Sequence, residues 1–586
     1  MPRRSFWLAG MYFLLASAVL TMWLWRDPAS RVAAVNPYDA DQFSWFFRYD
    51  AAAVAHLRLP GLVSTGMNAP YGFNVMWNTS MLLPGVVLAP LTLLAGPQAS
   101  LTVLLTIGFA GSALAMFAVL RAWGTSTVAA ACGGFVYGFS PALVQSGLGH
   151  YDLQFAVLPP LIVDAALRLA TGRARAAGRR GPLRWGAWLG LLAAAQIFIT
   201  EELLFDSAVA VVILLIVLAA SRPRVIAGSL RPLTAGAAAA AAVTCVLAGY
   251  PLWEQFFGAD PQHGSPFAPD FYKNDLAGFV QPSGSLLLHT KGSAAFAAAF
   301  QGQPPEYLAY LGWPLLLVLV VVAVRFWRLL PVRAAAAAFV SLSALSLGGT
   351  LLAGGHEHSW LTLPWYWAQT LPVAGSVIPD RFSILADGAA AAVFAFGLDA
   401  ARDLWPRARG LWPRIALAGI AAVALAPLLP RPLPAGSVSV PPAGWSATFA
   451  ALRLPADAPV LVVPVPMSSF TEPLRWAADT GVPSSMIGGY FTGPRADGQA
   501  AMDGNGTPSA DMYLNRLWTR PGDRVTLTGS LQQGNNSAEL HTQLTVTGAA
   551  AVVADASASS ALGEYLTLVL GPPTVREGAI LAWRLR

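Results

Sequence analysis

Over its first 430 residues the chain alternates long apolar runs with short, arginine-bearing polar connections. Apolar stretches at 6–25, 100–120, 126–142, 153–170, 185–200, 207–221, 233–253, 307–324, 334–353, 382–399 and 415–430 approach the ~20 residues that cross a bilayer as a helix. The run MLLPGVVLAPLTLLAG at 81–96 carries Pro84 and Pro90, which break a helix interior. It predicts a re-entrant or interfacial segment. The first run follows Arg3 and Arg4 and is longer than a signal peptide's apolar stretch of about 7–15 residues, and so predicts a retained span. From Arg431 the pattern changes to RPLPAGSVSVPPAG, and then to strand-like APVLVVPVP (458–466) and GAAAVVADAS (548–557). A short helix near 559–568 and a third strand in AILAWRLR (579–586) follow. The expected fold is an all-α polytopic membrane domain of about 11 transmembrane helices at 1–430, with a C-terminal α/β domain at 431–586.

Composition agrees with that pattern. The 586 residues are 55% hydrophobic and only 11% charged, with a mean hydropathy of +0.54. A soluble domain carries about 25% charged residues, so a disordered chain and an ordinary soluble enzyme are excluded. The net charge of +6 comes almost entirely from arginine, Lys273 and Lys291 being the only lysines. No basic stripe with interleaved aromatics is present, so no nucleic-acid partner is expected. Cys132 and Cys245 lie inside apolar runs, without disulfide or zinc spacing.

The charge instead reports topology. With the N-terminus in the cytoplasm, 19 basic residues fall on the inner side and 7 outside, where 15 acids also lie. Arg407 and Arg409 are among the inner set. This parity predicts a multi-pass plasma-membrane protein with a long first outer loop (26–99) and an extracytoplasmic C-terminal domain.

Polar groups at the bilayer are the informative ones, and they gather on the predicted outer side. The first outer loop brings Asp39, Asp41, Gln42 and Asp50. Later outer segments bring His150 and Asp152, then Gln196, Glu201, Glu202 and Asp206. Glu254, Glu306, His356, Glu357, His358, Asp380 and Arg381 follow. A cavity ringed by carboxylates and closed by the soluble domain is expected. Phe43, Trp45, Phe46, Phe47 and Tyr49 suit an interfacial helix lying on the membrane. The trio His356, Glu357 and His358 lacks further ligands at metal spacing, so no metal site is assigned, and a divalent cation stays open. No G-x-S-x-G elbow or Walker motif occurs.

Several stretches carry a family resemblance. DADQFSWF (39–46) is similar to a D-P-x-Q-F-x-W-F pattern, and NAPYGFNVMWNTSMLLPGVVLAPLTLLAGP (68–97) to a P-x-G-x-N-x-x-W-x-T-S-x-P stretch. GFSPALVQSGLGHYDLQF (138–155), QIFITEEL (196–203), PEYLAYLG (305–312), LPVAGSVIPDRFSIL (371–385), VLVVPVP (460–466) and RWAADTGVPSSMIGGYF (475–491) also fit. The chain resembles the GT-C class of polyprenyl-phosphate-dependent membrane glycosyltransferases, most closely an uncharacterised family of large actinobacterial multi-spanning glycosyltransferases.

The resemblance implies a polyprenyl-phosphate sugar as donor and a cell-envelope glycan, glycolipid or protein as acceptor, met at the outer membrane face. It places the catalytic carboxylate on Asp39. Ala40 stands where the pattern has proline and Asp41 where it has an apolar residue, so the choice between the two acids is open. Gln42, His150, Asp152, Gln196, Glu201 and Glu202 are the expected lining of the substrate site, and Arg381 the expected phosphate ligand. A general base for the acceptor hydroxyl and a cation for the leaving phosphate are what sugar transfer from a lipid phosphate requires. The rival readings are a lipid-sugar flippase and a non-catalytic envelope scaffold.

Overall fold

A computed structural model describes residues 3–33, 37–268, 270–300, 303–371, 373–404, 411–504, 508–519, 531–557 and 559–585. Arg407 and Arg409, counted above among the inner arginines, lie outside them. Each of the eleven apolar runs contains helix. Among the described residues, five helices are long and apolar enough to cross a membrane by length and composition: Pro97–Ala122, Thr127–Ser146, Glu201–Ser221, Pro223–Phe257 and Pro379–Asp403. The others are shorter. The run at 153–170, for example, yields the end of the short helix Tyr151–Gln154 and then a helix over Pro159–Ala170, because Pro159 and Pro160 fit only a first turn.

The chain divides into two compact units. The first takes Met1–Asn36, Thr102–Tyr250 and Ala268–Gly436; the second takes Pro37–Leu101, Pro251–Phe267 and Ser437–Arg586. Residues 37–101 and 251–267 thus belong with the C-terminal segment 437–586. Side-chain hydrogen bonds explain this. Asn74 Nδ2 donates to the carbonyls of Glu254 and Ala259 at 3.1 and 3.0 Å, and Trp77 Nε1 donates to that of Gln255 at 2.7 Å. Asn78 both donates to Thr492 O (3.2 Å) and accepts from Thr492 N (2.6 Å). The Asn-x-x-Trp-Asn stretch thus ties three distant segments together.

In the first unit, helix Phe382–Leu404 packs against Leu330–Ser346 and Thr127–Gly138. The contact surfaces are rich in alanine and glycine, which lets backbones approach closely where lipid offers no hydrophobic drive for association. A Cβ on Gly133 would stand 3.1 Å from Ala391 O, and one on Gly186 2.1 Å from Gly236 O. Buried hydroxyls add polar links: Ser17 Oγ donates to Thr106 O at 2.5 Å, and Trp25 Nε1 to Thr106 Oγ1 at 2.9 Å. The hairpin Thr350–Ala353/His356–Thr362 carries the His-Glu-His trio on an outward-facing strand. There Glu357 accepts from Lys273 Nζ at 2.7 Å.

The second unit contains a four-stranded sheet of β1 (Val460–Val463), β2 (Ala551–Asp555), β3 (Val575–Glu577) and β4 (Ile580–Arg584), in the order β3-β4-β2-β1. β1 and β2 are parallel, and β4 pairs antiparallel with β2 and β3. The continuous VLVV and AVVA runs are buried on both faces, as parallel neighbours require. Leu514, Leu540, Leu562, Leu566 and Trp583 complete this core.

Helix Pro37–Ala55 packs on Glu472–Thr480, Leu82–Val87 and Ala89–Ala95 of the same unit. This corrects the interfacial reading of its aromatics. Phe43, Trp45, Phe46 and Phe47 are buried in the unit's own core; Phe46 lies 6.2 Å from Phe73, which lies 5.6 Å from Phe491. A run of four aromatics in five positions covers most of a helix's circumference, so neighbours on several sides can bury it. The Pro84/Pro90 run forms two short helices broken at Leu88 rather than one span.

Candidate active site

The predicted site residues fall into two groups, one in each unit. In the second unit, Asp39 occupies the first turn of helix Pro37–Ala55. Its Oδ1 accepts from Tyr490 Oη at 2.6 Å. Gln42 Nε2 donates to the Tyr490 carbonyl at 2.7 Å. Asp39 and Gln42 stand three residues apart and so share a helix face; together they grip Tyr490 at its two ends. Tyr490 follows Gly488 and Gly489, both at positive φ (79° and 157°), and a Cβ on Gly489 would meet Met67 Cβ at 2.7 Å. The Gly-Gly-Tyr turn is therefore what brings the phenol to the carboxylate.

Asp41 points elsewhere. Residues two apart on a helix do not share a face. Asp41 Oδ2 accepts from Thr471 Oγ1 at 2.9 Å, and the carboxyl is 4% exposed. Arg475, on the helix packed against this face, is 1% exposed; it donates to Ser44 Oγ (3.2 Å), Gln98 Oε1 (2.8 Å) and Asp479 Oδ2 (2.9 Å). Burial drives the Asp41 carboxyl up to about 7, against the opposing pull of Arg475 and the Thr471 hydroxyl. Asp50, on the same helix, is fully buried with neither oxygen hydrogen-bonded among the described residues, and burial raises it well above the ordinary range.

In the first unit an ion-pair network forms around Glu306. Arg381 Nη2 lies 2.8 Å from Glu306 Oε1, and His150 Nε2 lies 3.0 Å from the same oxygen. Arg381 Nη1 is closely paired with Glu202 Oε2, while Glu202 Oε1 accepts from Ile378 N at 2.8 Å. Burial alone would raise Glu306; Arg381 and His150 more than offset it and hold the carboxyl at about 2. Asp206 and Asp380 are also buried. No hydrogen bond to their carboxylates occurs among the described residues.

Of the predicted lining, His150, Glu202 and Arg381 thus come together in this unit. Gln196 is buried, donating to Thr200 O at 3.0 Å. Asp152 is buried in the first turn of Tyr151–Gln154, and Glu201 opens helix Glu201–Ser221 beside Glu202. Among the described residues no three His, Cys, Asp or Glu side chains form a metal-binding group.

Two organising residues were not among the candidates. Glu306 was visible only as one outer-loop acid among many, although it heads the PEYLAYLG stretch. Tyr490 was visible only as the end of the Gly-Gly-Tyr-Phe stretch, with nothing in the sequence to pair it with Asp39 some 450 positions away.

A family model described as "Domain of unknown function (DUF6311)" matches residues 44–376, more than half of the chain. No curated protein matches the sequence. The apo crystal structure of the Archaeoglobus fulgidus oligosaccharyltransferase is similar, with a TM-score of 0.54 and 11% identity, over 97% of this chain and 71% of that one. A second structure of that protein, with zinc and sulfate, gives 0.52 and 13% over 93% and 68%. The mycobacterial arabinofuranosyltransferase AftD gives 0.52 and 16%, over 100% of this chain but only 40% of its own length. At these identities the likeness is one of fold alone, shared with the oligosaccharyltransferase and arabinofuranosyltransferase structures.

Proposed function

We propose that the chain, which belongs to the DUF6311 family, is an integral membrane glycosyltransferase. It moves a sugar from a polyprenyl-phosphate donor to a hydroxyl of a cell-envelope acceptor on the outer face. One observation carries the reading: Asp39 is a fixed carboxylate, positioned by Tyr490 Oη at 2.6 Å, in the first turn after the first apolar helix and its short connection. The GT-C fold adds weight as analogy. The arginine bias supports the outer face.

In this reading Asp39 takes the proton of the acceptor hydroxyl. The acceptor oxygen bonds to the sugar C1, the C1–O bond to phosphate breaks, and polyprenyl phosphate leaves. Tyr490 and Gln42 keep the carboxylate oriented. Asp41 is a packing group of helix Glu472–Thr480, because its carboxyl is committed to Thr471 beside Arg475. Arg381, in the other unit, is given no part in this step: its fork is already held by Glu202 and Glu306, and Glu306 is shared with His150.

The test is release of polyprenyl phosphate from radiolabelled polyprenyl-phosphate sugars by the protein in nanodiscs. Asp39→Asn lowers turnover by about 10²–10⁴-fold, the usual worth of a general base. Tyr490→Phe lowers it about tenfold, through the loss of one hydrogen bond to a charged group. Full turnover by a folded Asp39→Asn protein refutes the assignment of Asp39; no release of polyprenyl phosphate by the parent protein favours the flippase or scaffold readings.

A further inference from the structure

The second unit contains a cavity of about 640 Å³ that the transfer reading leaves unused. That volume is in the range of small-molecule sites, about 300–1,000 Å³. Its lining includes Tyr71, Phe491, Asp503, Asp511 and Gln543, drawn from the 68–74 loop, the 487–495 segment and helices Ser509–Thr519 and Leu531–Val546.

Its polar chemistry is lopsided. Asp511 is 2% exposed; its Oδ2 accepts from Gln543 Nε2 at 2.9 Å, while its Oδ1 accepts nothing among the described residues. Gln543 Oε1 likewise accepts nothing. Asp503 Oδ2 accepts from Ser468 Oγ at 3.1 Å, while Oδ1 is unpartnered among the described residues. Buried acceptors without donors are costly, so the lining calls for a ligand that donates. Glu539 does not add to this set, because it caps helix Ser509–Thr519 through Ser509 N (3.2 Å) and Ala510 N (3.0 Å).

The choices narrow from there. The described lining carries Asp260, Asp503, Asp511 and Glu539 against the single cation Arg495, so a phosphate or other anion is disfavoured. A metal ion finds no converging group of three ligands among the described residues. A lipid tail would leave the acceptors desolvated and unpaired. A peptide backbone offers one N–H donor for each ~3.3 Å of extended chain. A neutral polyol brings a hydroxyl donor at nearly every carbon, and Tyr71 (62% exposed) offers a flat apolar ring to its C–H face.

We propose that this cavity binds a neutral sugar unit of a glycan, with Asp503, Asp511 and Gln543 accepting from its hydroxyls and Tyr71 stacking on the ring. The inference stands apart from transfer, because binding needs neither Asp39 nor the donor lipid.

The experiment is a calorimetric titration of the full chain in nanodiscs with three neutral probes: mannotetraose, arabinotetraose and galactotetraose. Glucose 1-phosphate and tetra-alanine serve as controls. Saturable binding of at least one probe is expected, weakened about tenfold by Tyr71→Ala and by Asp511→Asn. The first change is at an exposed ring and the second keeps shape; if Asp511→Asn fails to fold, Tyr71→Ala decides alone. The proposal is overturned if no probe binds up to about 10 mM. It is equally overturned if Tyr71→Ala binds as tightly as the parent protein, or if a control binds as tightly as the probes. Wild-type protein that binds a probe but never releases polyprenyl phosphate refutes the transferase reading alone.

Discussion

Asp41→Asn is expected to stabilise helix Pro37–Ala55, and to do so more as pH rises. The Asp41 carboxyl is buried, and its folded value is about 7 against an unfolded 3.8. A raised folded value means the native state holds a proton that the unfolded chain has released. The stability contributed by that proton is present in full below about pH 4, falls through the window between, and is gone above about pH 7. The gap is worth roughly 4 kcal/mol in all, and roughly 2 kcal/mol of it falls between pH 5 and pH 7. Asparagine keeps the shape and an oxygen for the Thr471 hydroxyl, and has nothing to ionise. The assay is hydrogen exchange of the amides of residues 37–55 in the nanodisc-held protein, variant against parent, at pH 5, 6, 7 and 8. Protection in the variant should exceed that of the parent by an amount that grows with pH and levels off near pH 8. A difference independent of pH, or a variant less protected at pH 8, would show that Asp41 is ionised and favourably paired with Arg475, and would refute the burial argument.

Two further outcomes follow from the packing. Glu306→Gln should cost about 3–5 kcal/mol, because it leaves Arg381 and His150 without their shared carboxylate; in the parent, the Glu306 contribution is present above about pH 4.5 and lost as pH falls through about 2, visible as acid unfolding that the variant no longer shows in that window. Gly85→Ala puts a Cβ 1.9 Å from Asp50 Oδ2 and should cost about 1–3 kcal/mol in thermal unfolding; adding Asp50→Ala should restore most of it, and no rescue would mean the strain lies in the backbone.

The helices and the main strands were legible because their signal is local. Apolar runs, Pro84 and Pro90, and the VLVV and AVVA segments each state their own conformation. Helix lengths were less legible: the expected eleven spans correspond to helices, but five reach spanning length and apolarity. Proline pairs such as Pro159–Pro160 shorten a helix without interrupting the apolar pattern that predicts it. The grouping into units was hidden for another reason. Residues 37–101 look like a membrane loop, yet Asn74, Trp77 and Asn78 bond to carbonyls and amides 178 to 414 positions away. Backbone partners of this kind leave no trace in the partner's side chain.

The same limit governs the charged residues, and it changes how Arg381 is understood. A sequence shows an arginine near an outer face; it does not show what neutralises it. Arg381 was expected as an open cation for a phosphate, and its two terminal nitrogens are already met by Glu202 and Glu306. Both carboxylates were visible, but as members of a dispersed set of outer acids, and sign alone made them look like a ring facing a substrate. In the folded chain, part of that ring is turned inward on a single guanidinium. Asp39 accepts a hydrogen bond from a neutral phenol, and a hydroxyl orients a carboxylate without cancelling its charge. Helix periodicity could have separated Asp39 from Asp41 in advance, since Asp39 shares its face with Gln42, and Asp41 shares its own with Ser44. The i, i+3 pairing of Asp39 with Gln42 is the part of the motif that the fold uses to hold Tyr490.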